Sequence, residues 1–385
     1  LQRTHVDWNN NPTPAQMAGA EELVALASVC SEFDGTSVQA TPQSGNYGIH
    51  PEERDLFCAM SAAAQRTLFW LTVKFVKEVP DMTGSMLSFC DQGAERGGRL
   101  YGMLFLQDGG SARQDFSRPF LLRANPAPWP EIMDLPHAER RRALADPSVR
   151  DRLREGLNTP GHALGAGFDH RWYSLVVGDV DDPRLASLVG RRVGDIARER
   201  GVDAFDAMLD IAVDGDLEVG FLRNDEGDTG NRDPSVRAAR YGAMRDERVI
   251  WGANDSGAHS DAICGASFPS RAIEELVRKE QQFTLEQVVR RLTGEQAERW
   301  GLKGRGKIAE GSVADLAIFD ADSVSPTRME KVRDWPGGAW HLVQRAEGFQ
   351  RTIVGGRDVV VDGEYTGDLP GRVLRSGRDT ETVPV

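Results

Sequence analysis

Residues 249–269 read Val-Ile-Trp-Gly-Ala-Asn-Asp-Ser-Gly-Ala-His-Ser-Asp-Ala-Ile-Cys-Gly-Ala-Ser-Phe-Pro, and the fold assignment turns on this stretch. Val249, Ile250 and Trp251 make an apolar run of strand length, and Gly252 opens a series of small residues that lets the backbone turn in a confined space. That order places Asp255 just beyond a strand end. In α/β barrels the carboxyl ends of the strands form the rim on which functional side chains are presented. A carboxylate there can hold a metal, take a proton from water and return it to a leaving group. His259 follows four residues on, with Gly257 and Ala258 leaving room for a ligand. Asp, Asn, Ser and Gly are also the ordinary turn formers, so a turn or helix-capping role for Asp255 stands beside the catalytic one.

Upstream of this stretch, helical and strand-like patterns alternate. An amphipathic helix is expected over residues 15–29, a short strand over 36–41, a helix over 51–66, a strand over 68–75, a helix or irregular segment over 84–97 and a strand over 100–106. Residues 115–170 are rich in Pro and Arg, and 137–157 read as an exposed helical excursion broken at Pro147. Regularity returns with a strand over 173–180, helices over 191–200 and 206–213, a strand over 218–222 and a helical stretch over 236–240. Such alternation argues for βα units around a parallel sheet. Downstream, Thr284 with Gln287 and Thr293 with Gln296 fit the capping box of two helix starts. Beyond Gly301 short β-like runs separated by glycine (314–319, 350–354 and 358–361) read as a small β appendage.

The 385 residues suffice for one large domain with an appendage, and 40% hydrophobic with 27% charged residues describes a globular chain with a sizeable core. A net charge of -13 argues against nucleic acid and anionic membrane as partners, since the average surface repels both. Cys30, Cys58, Cys90 and Cys264 form no Cys-x-x-Cys pair and read as thiols in a reducing, cytoplasmic compartment. No signal peptide or spanning apolar run is apparent. Neither a Gly-x-Ser-x-Gly elbow nor a Walker-type phosphate loop is present, and Gly304-Arg305-Gly306 is a weak glycine pair in a turn.

The Asn-Asp-Ser-Gly-Ala-His and Ile-Cys-Gly-Ala-Ser-Phe-Pro segments resemble the Ser-Asp-x-Gly-Ala-His and Asp-Ala-Ser-x-Pro signature of N-acyl-D-amino-acid deacylases, the D-aminoacylase branch of the amidohydrolase superfamily. Residues 292–297, 301–302, 304–306, 311–320 and 354–363 are similar to the usual ending of that family. The resemblance is dense from 249 to the end, loose in the middle, and one of position alone over the first hundred residues. It implies an α/β fold of the metal-dependent (β/α)8 TIM-barrel kind over 1–302, with the excursion at 115–170 either a lid over the barrel mouth or a surface decoration, and a small β-sandwich-like domain over 303–385. Only five or six strand candidates are visible where a closed barrel needs eight. The chain is therefore expected to be a portion lacking an amino-terminal segment, or a shortened relative with a covered edge, and open edges would make pairing with a second copy, a homo-oligomer, an expectation.

The resemblance implies a linear amide of an N-acyl amino acid as substrate and Zn²⁺ as the ion that activates water, with Asp255 as metal ligand and proton shuttle and His259 orienting the reacting group. The family's His-x-His pair is not present among His5, His50, His137, His162, His170, His259 and His341, and the ligands other than Asp255 are not found. His162, Asp169 and His170 have no known ligand spacing. For the substrate carboxylate, Arg223 and Asn224 lie just beyond the 218–222 strand and Ser256 beside Asp255, although an Arg223 paired with Asp225 or Glu226 is the simpler reading. Tyr173 and Phe268 fit an acyl pocket or the core equally. A catalytically silent member serving as a binding or assembly module, and a cyclic-amide hydrolase of the same superfamily, are the alternative functions.

Overall fold

A computed structural model describes residues 11–42, 48–75, 79, 81–106, 112–157, 172–222, 233–254, 256–258 and 260–384. The strands that matter for the site are β1 (Val38–Ala40), β2 (Thr67–Leu71), β3 (Arg99–Leu104), β4 (Arg113–Gln114), β5 (Val176–Val180), β6 (Val219–Leu222) and β7 (Val249–Trp251). Four of them form one parallel sheet in the order β1-β2-β3-β7, with Leu71 opposite Met103 and Leu104 opposite Trp251. Helices Pro51–Ala64 and Met82–Glu95 make the crossovers between successive strands, as parallel pairing requires.

Side chains alternate across this sheet and both faces are buried, the condition under which parallel sheets are found. Leu68, Trp70, Leu100, Leu104, Val249 and Trp251 enter the main core with the crossover helices. Phe69, Tyr101, Met103 and Ile250 face the other way and form a smaller cluster. Trp300 closes that second face, its ring stacked on Phe69 with centroids 4.0 Å apart.

Among the described residues the parallel sheet has four strands, short of the eight of the expected barrel. The two further strands expected over 173–180 and 218–222 do exist, but β5 and β6 pair antiparallel with each other and, through β6, with β4. They belong to a unit with its own hydrophobic core, in which Trp129, Trp172 and Phe205 meet at centroid distances of 5.6 to 6.1 Å. Helices His137–Ala145 and Pro147–Leu157, separated at the expected Pro147, bury Leu144 and Leu153 in that core. The excursion is thus the packed half of a second core, not an exposed decoration. Periodicity could not reveal this, because an alternating strand has the same pattern whichever direction its neighbour runs.

From β8 (Leu316–Phe319) onward the chain is antiparallel and β-rich, as expected. β9 (Ser325–Pro326), β10 (Glu330–Val332), β11 (His341–Val343), β12 (Ala346–Glu347), β13 (Phe349–Val354), β14 (Arg357–Val361) and β15 (Glu364–Tyr365) follow. The largest sheet runs β15-β14-β13-β8, while β10 pairs with β11 and β12 with β9. The tail then returns to the first βα unit: the Gly35 N–H donates to Thr382 Oγ1 at 3.0 Å and the Thr380 hydroxyl to the Gly35 carbonyl at 2.9 Å.

Candidate functional site

A cavity of about 620 Å³ opens at the carboxyl ends of the four parallel strands. Gln39 and Thr41 border it at β1, Thr72 and Lys74 at β2, Met103 and Phe105 at β3. From β7 come Trp251 and the three residues 252–254, which lead directly to Asp255 in the sequence. Gly252 takes φ +102°, a conformation that favours glycine, and a Cβ there would approach Phe268 to 3.3 Å. Phe268 lines the cavity, whereas Tyr173 is 61% exposed and does not.

The rim loop after β7 is tied down on two sides. Asn254 Oδ1 accepts the Ser256 N–H at 2.9 Å, and Ser256 Oγ accepts the Gly265 N–H at 3.0 Å. On one side the Arg113 N–H donates to the Ala262 carbonyl at 2.7 Å, attaching the loop to β4. On the other the Leu342 N–H donates to the Ser260 carbonyl at 2.8 Å, attaching it to β11. The loop bearing the family signature is therefore held between the second core and the carboxyl-terminal β region.

Of the residues singled out in the sequence, Asp255, His259, Arg223 and Asn224 lie outside the described residues, as do His5, His162, Asp169 and His170. Ser256 is exposed, and its hydroxyl is engaged with Gly265 rather than lining the cavity. His341 Nε2 is 2.8 Å from Asp334 Oδ1, and His137 Nε2 is 3.0 Å from the Asp216 carbonyl. His50 occupies the N-cap position of the Pro51–Ala64 helix. Cys58, Cys90 and Cys264 are buried, and burial raises all three thiols, Cys90 to about 12, so they are inert as nucleophiles.

Sequence reasoning passed over Lys74. It stands three residues past the apolar end of β2, at the cavity wall, and burial away from water lowers its ammonium to about 8. The signal was a single Lys within a largely apolar 68–75 run. Gln39 was passed over too, as an isolated amide carries no sequence signature, and Gln296 was read as a helix cap, not as part of a cavity wall.

The described polar groups of the cavity are amides, hydroxyls and an ammonium, whereas Zn²⁺ takes thiolate, imidazole and carboxylate. Among the described residues no group of three or more His, Cys, Asp or Glu could hold a metal ion. These residues do not fit a zinc site. Among them, too, no helix is long and apolar enough to cross a membrane.

Comparison with known proteins bears on the same region. Residues 177–364, just under half of the chain, match the model of the amidohydrolase family. An uncharacterized protein of Mycobacterium tuberculosis is 31% identical over 258 residues, spanning 62% of this chain and 39% of that protein. D-aminoacylase of Alcaligenes xylosoxydans is 30% identical over 193 residues, 49% of this chain and 34% of the enzyme. A D-aminoacylase crystal structure overlays 92% of this chain and 59% of its own with 16% identity and a TM-score of 0.47, too loose to assign a barrel. The resemblance read from the 249–269 signature therefore holds: residues 177–364 are similar to the amidohydrolase family, and the relatives that the chain resembles include a D-aminoacylase. The chain spans about two-fifths or less of the length of these curated relatives.

Proposed function

We propose that this chain is part of a hydrolase that cleaves a linear carbon-nitrogen bond other than a peptide bond, in an N-acyl amino acid or a related amide. The observation that carries this reading is the continuity between cavity and signature: residues 252–254 line the cavity, and Asp255 is the next residue. The names of the D-aminoacylase relatives supply the substrate class. In the proposed site Asp255 takes the proton of the attacking water and delivers it to the departing nitrogen, while His259 orients the acyl carbonyl. The Lys74 ammonium receives the substrate carboxylate, and Leu71, Phe105 and Phe268 offer the acyl chain an apolar wall. Residues 1–302 make the hydrolase-like unit and 303–385 its β-rich appendage.

The test is hydrolysis of paired N-acetyl-D- and N-acetyl-L-amino acids by the protein and by Asp255→Ala. Loss of a positioned acid/base lowers kcat by about 10²–10⁴-fold. Equal rates in the two proteins would sink the assignment of Asp255, and no hydrolysis of any amide by the protein would sink the activity.

A second reading, a family member that binds without cleaving, is favoured by the missing ligand set among the described residues. Zinc content measured after dialysis separates the two. About one equivalent per chain, lost in Asp255→Ala, supports the hydrolase, and metal-free protein that still binds N-acetyl amino acids supports the binder.

A further inference from the structure

A second cavity, of about 740 Å³, opens at the amino ends of the parallel strands, at the opposite end of the sheet from the candidate site. Five arginines line it: Arg99 at the start of β3, Arg245 at the end of helix Pro234–Arg245, and Arg290, Arg291 and Arg299 from the two helices Leu285–Leu292 and Gly294–Arg299. Three glutamates line it as well. The excess of positive charge stands out in a protein of net charge -13.

The arginines divide into two sets. Arg291 pairs with Glu295 at 2.7 Å, and Arg299 lies 3.6 Å from the same carboxylate, so one glutamate serves two guanidinium groups. Glu298 is bound by Lys307 at 2.6 Å, and the charges of Arg290 and Arg299 also bear on it. Arg245 donates to the Tyr241 and Gln282 carbonyls, contacts that leave its charge unbalanced. Arg99 and Arg290 make no ion pair among the described residues, and Glu247 is the one remaining lining carboxylate. Arg245 lies over the Phe283 ring at 4.6 Å and Arg299 over the Tyr101 ring at 4.1 Å, which fixes the planes of both guanidinium groups before any ligand arrives.

We infer that this second cavity binds a small dianion carrying paired oxygens, a phosphate monoester or a dicarboxylate, between Arg99, Arg245 and Arg290. Guanidinium forks match such oxygens two at a time, and the excess of arginines over glutamates in the lining favours a ligand of negative charge.

Titration calorimetry of the full chain with inorganic phosphate and, separately, malonate tests this. Either anion is expected to bind in the millimolar range or tighter, and which one binds identifies the source. The double variant R99Q/R290Q is expected to lose about tenfold or more, while retaining the thermal midpoint of the parent. Should the double variant unfold, the single variant at exposed Arg290, R290Q, gives the same readout. Binding unchanged in both variants would place the anion elsewhere, and no heat from either anion would overturn the site. K74M at the other cavity is expected to leave this binding unaltered, so failure here leaves the amide hydrolase reading intact.

Discussion

Burial holds the Lys74 ammonium at about 8 where the ordinary value is 10.5, and two consequences follow for this one residue. Below pH 8 the side chain is charged in both the folded and unfolded states, and desolvating that charge costs stability. Between 8 and 10.5 the unfolded chain binds the extra proton, so the penalty fades as pH rises and this residue's share of stability increases. Lys74→Met is therefore expected to raise the denaturant midpoint at pH 7 and to give little gain at pH 10.5. A larger gain at the higher pH would refute the assignment. If the ammonium also holds the substrate carboxylate, KM rises above pH 8 in the parent and is flat there in the variant. A lone Lys in an apolar run marks the position but not its proton affinity, which comes from the walls that three other strands bring around it.

Local signals were read well at the scale of elements where they concern neighbouring residues. The capping box at Thr284 forms as expected: the Gln287 N–H donates to Thr284 Oγ1 at 3.3 Å and the Thr284 N–H to Gln287 Oε1 at 2.9 Å. Thr284→Ala is expected to cost about 1 kcal/mol in urea unfolding, with a null change counting against the cap. The equivalent pair at Thr293 and Gln296 does not form. Gln296 instead donates to the Trp251 carbonyl at 2.6 Å, and the Thr293 hydroxyl turns back to the Val289 carbonyl at 2.7 Å. The same sequence pattern thus has two outcomes, because a carbonyl at the end of β7 competes for the second amide. The 15–29 helix is likewise broken, into Pro14–Met17 and Ala20–Ser28, and of its apolar residues Leu23 is buried while Leu26 is 63% exposed.

Over the whole molecule, the joint around Trp340 connects the second core, the signature loop and the carboxyl-terminal β region. Arg113, 1% exposed, donates to both Asp179 oxygens at 2.8 and 2.9 Å and also contacts Asp115. Arg113, Arg118 and Lys331 all lie over the Trp340 ring at 4.7 to 4.9 Å, and Lys331 reaches Asp181 at 3.1 Å. Arg113→Ala leaves two carboxylates near an unfilled space and is expected to destabilise by about 3–5 kcal/mol. A thermal midpoint within one degree or so of the parent would show that the joint holds nothing together.

The sequence by itself determined the apolar runs of strands β2, β3 and β7, the crossover helices, the break at Pro147, the β-rich ending and the family signature around Asp255. Each of these rests on contacts between residues close in the chain or on a pattern of side-chain polarity. Tertiary structure alone decided that β5 and β6 run antiparallel in a second core, that Trp300 covers the inner face of a four-stranded sheet, and that Lys74 loses its proton near pH 8. Those outcomes depend on which distant segments meet, and strand direction, ring stacking and desolvation are properties of the meeting rather than of either segment.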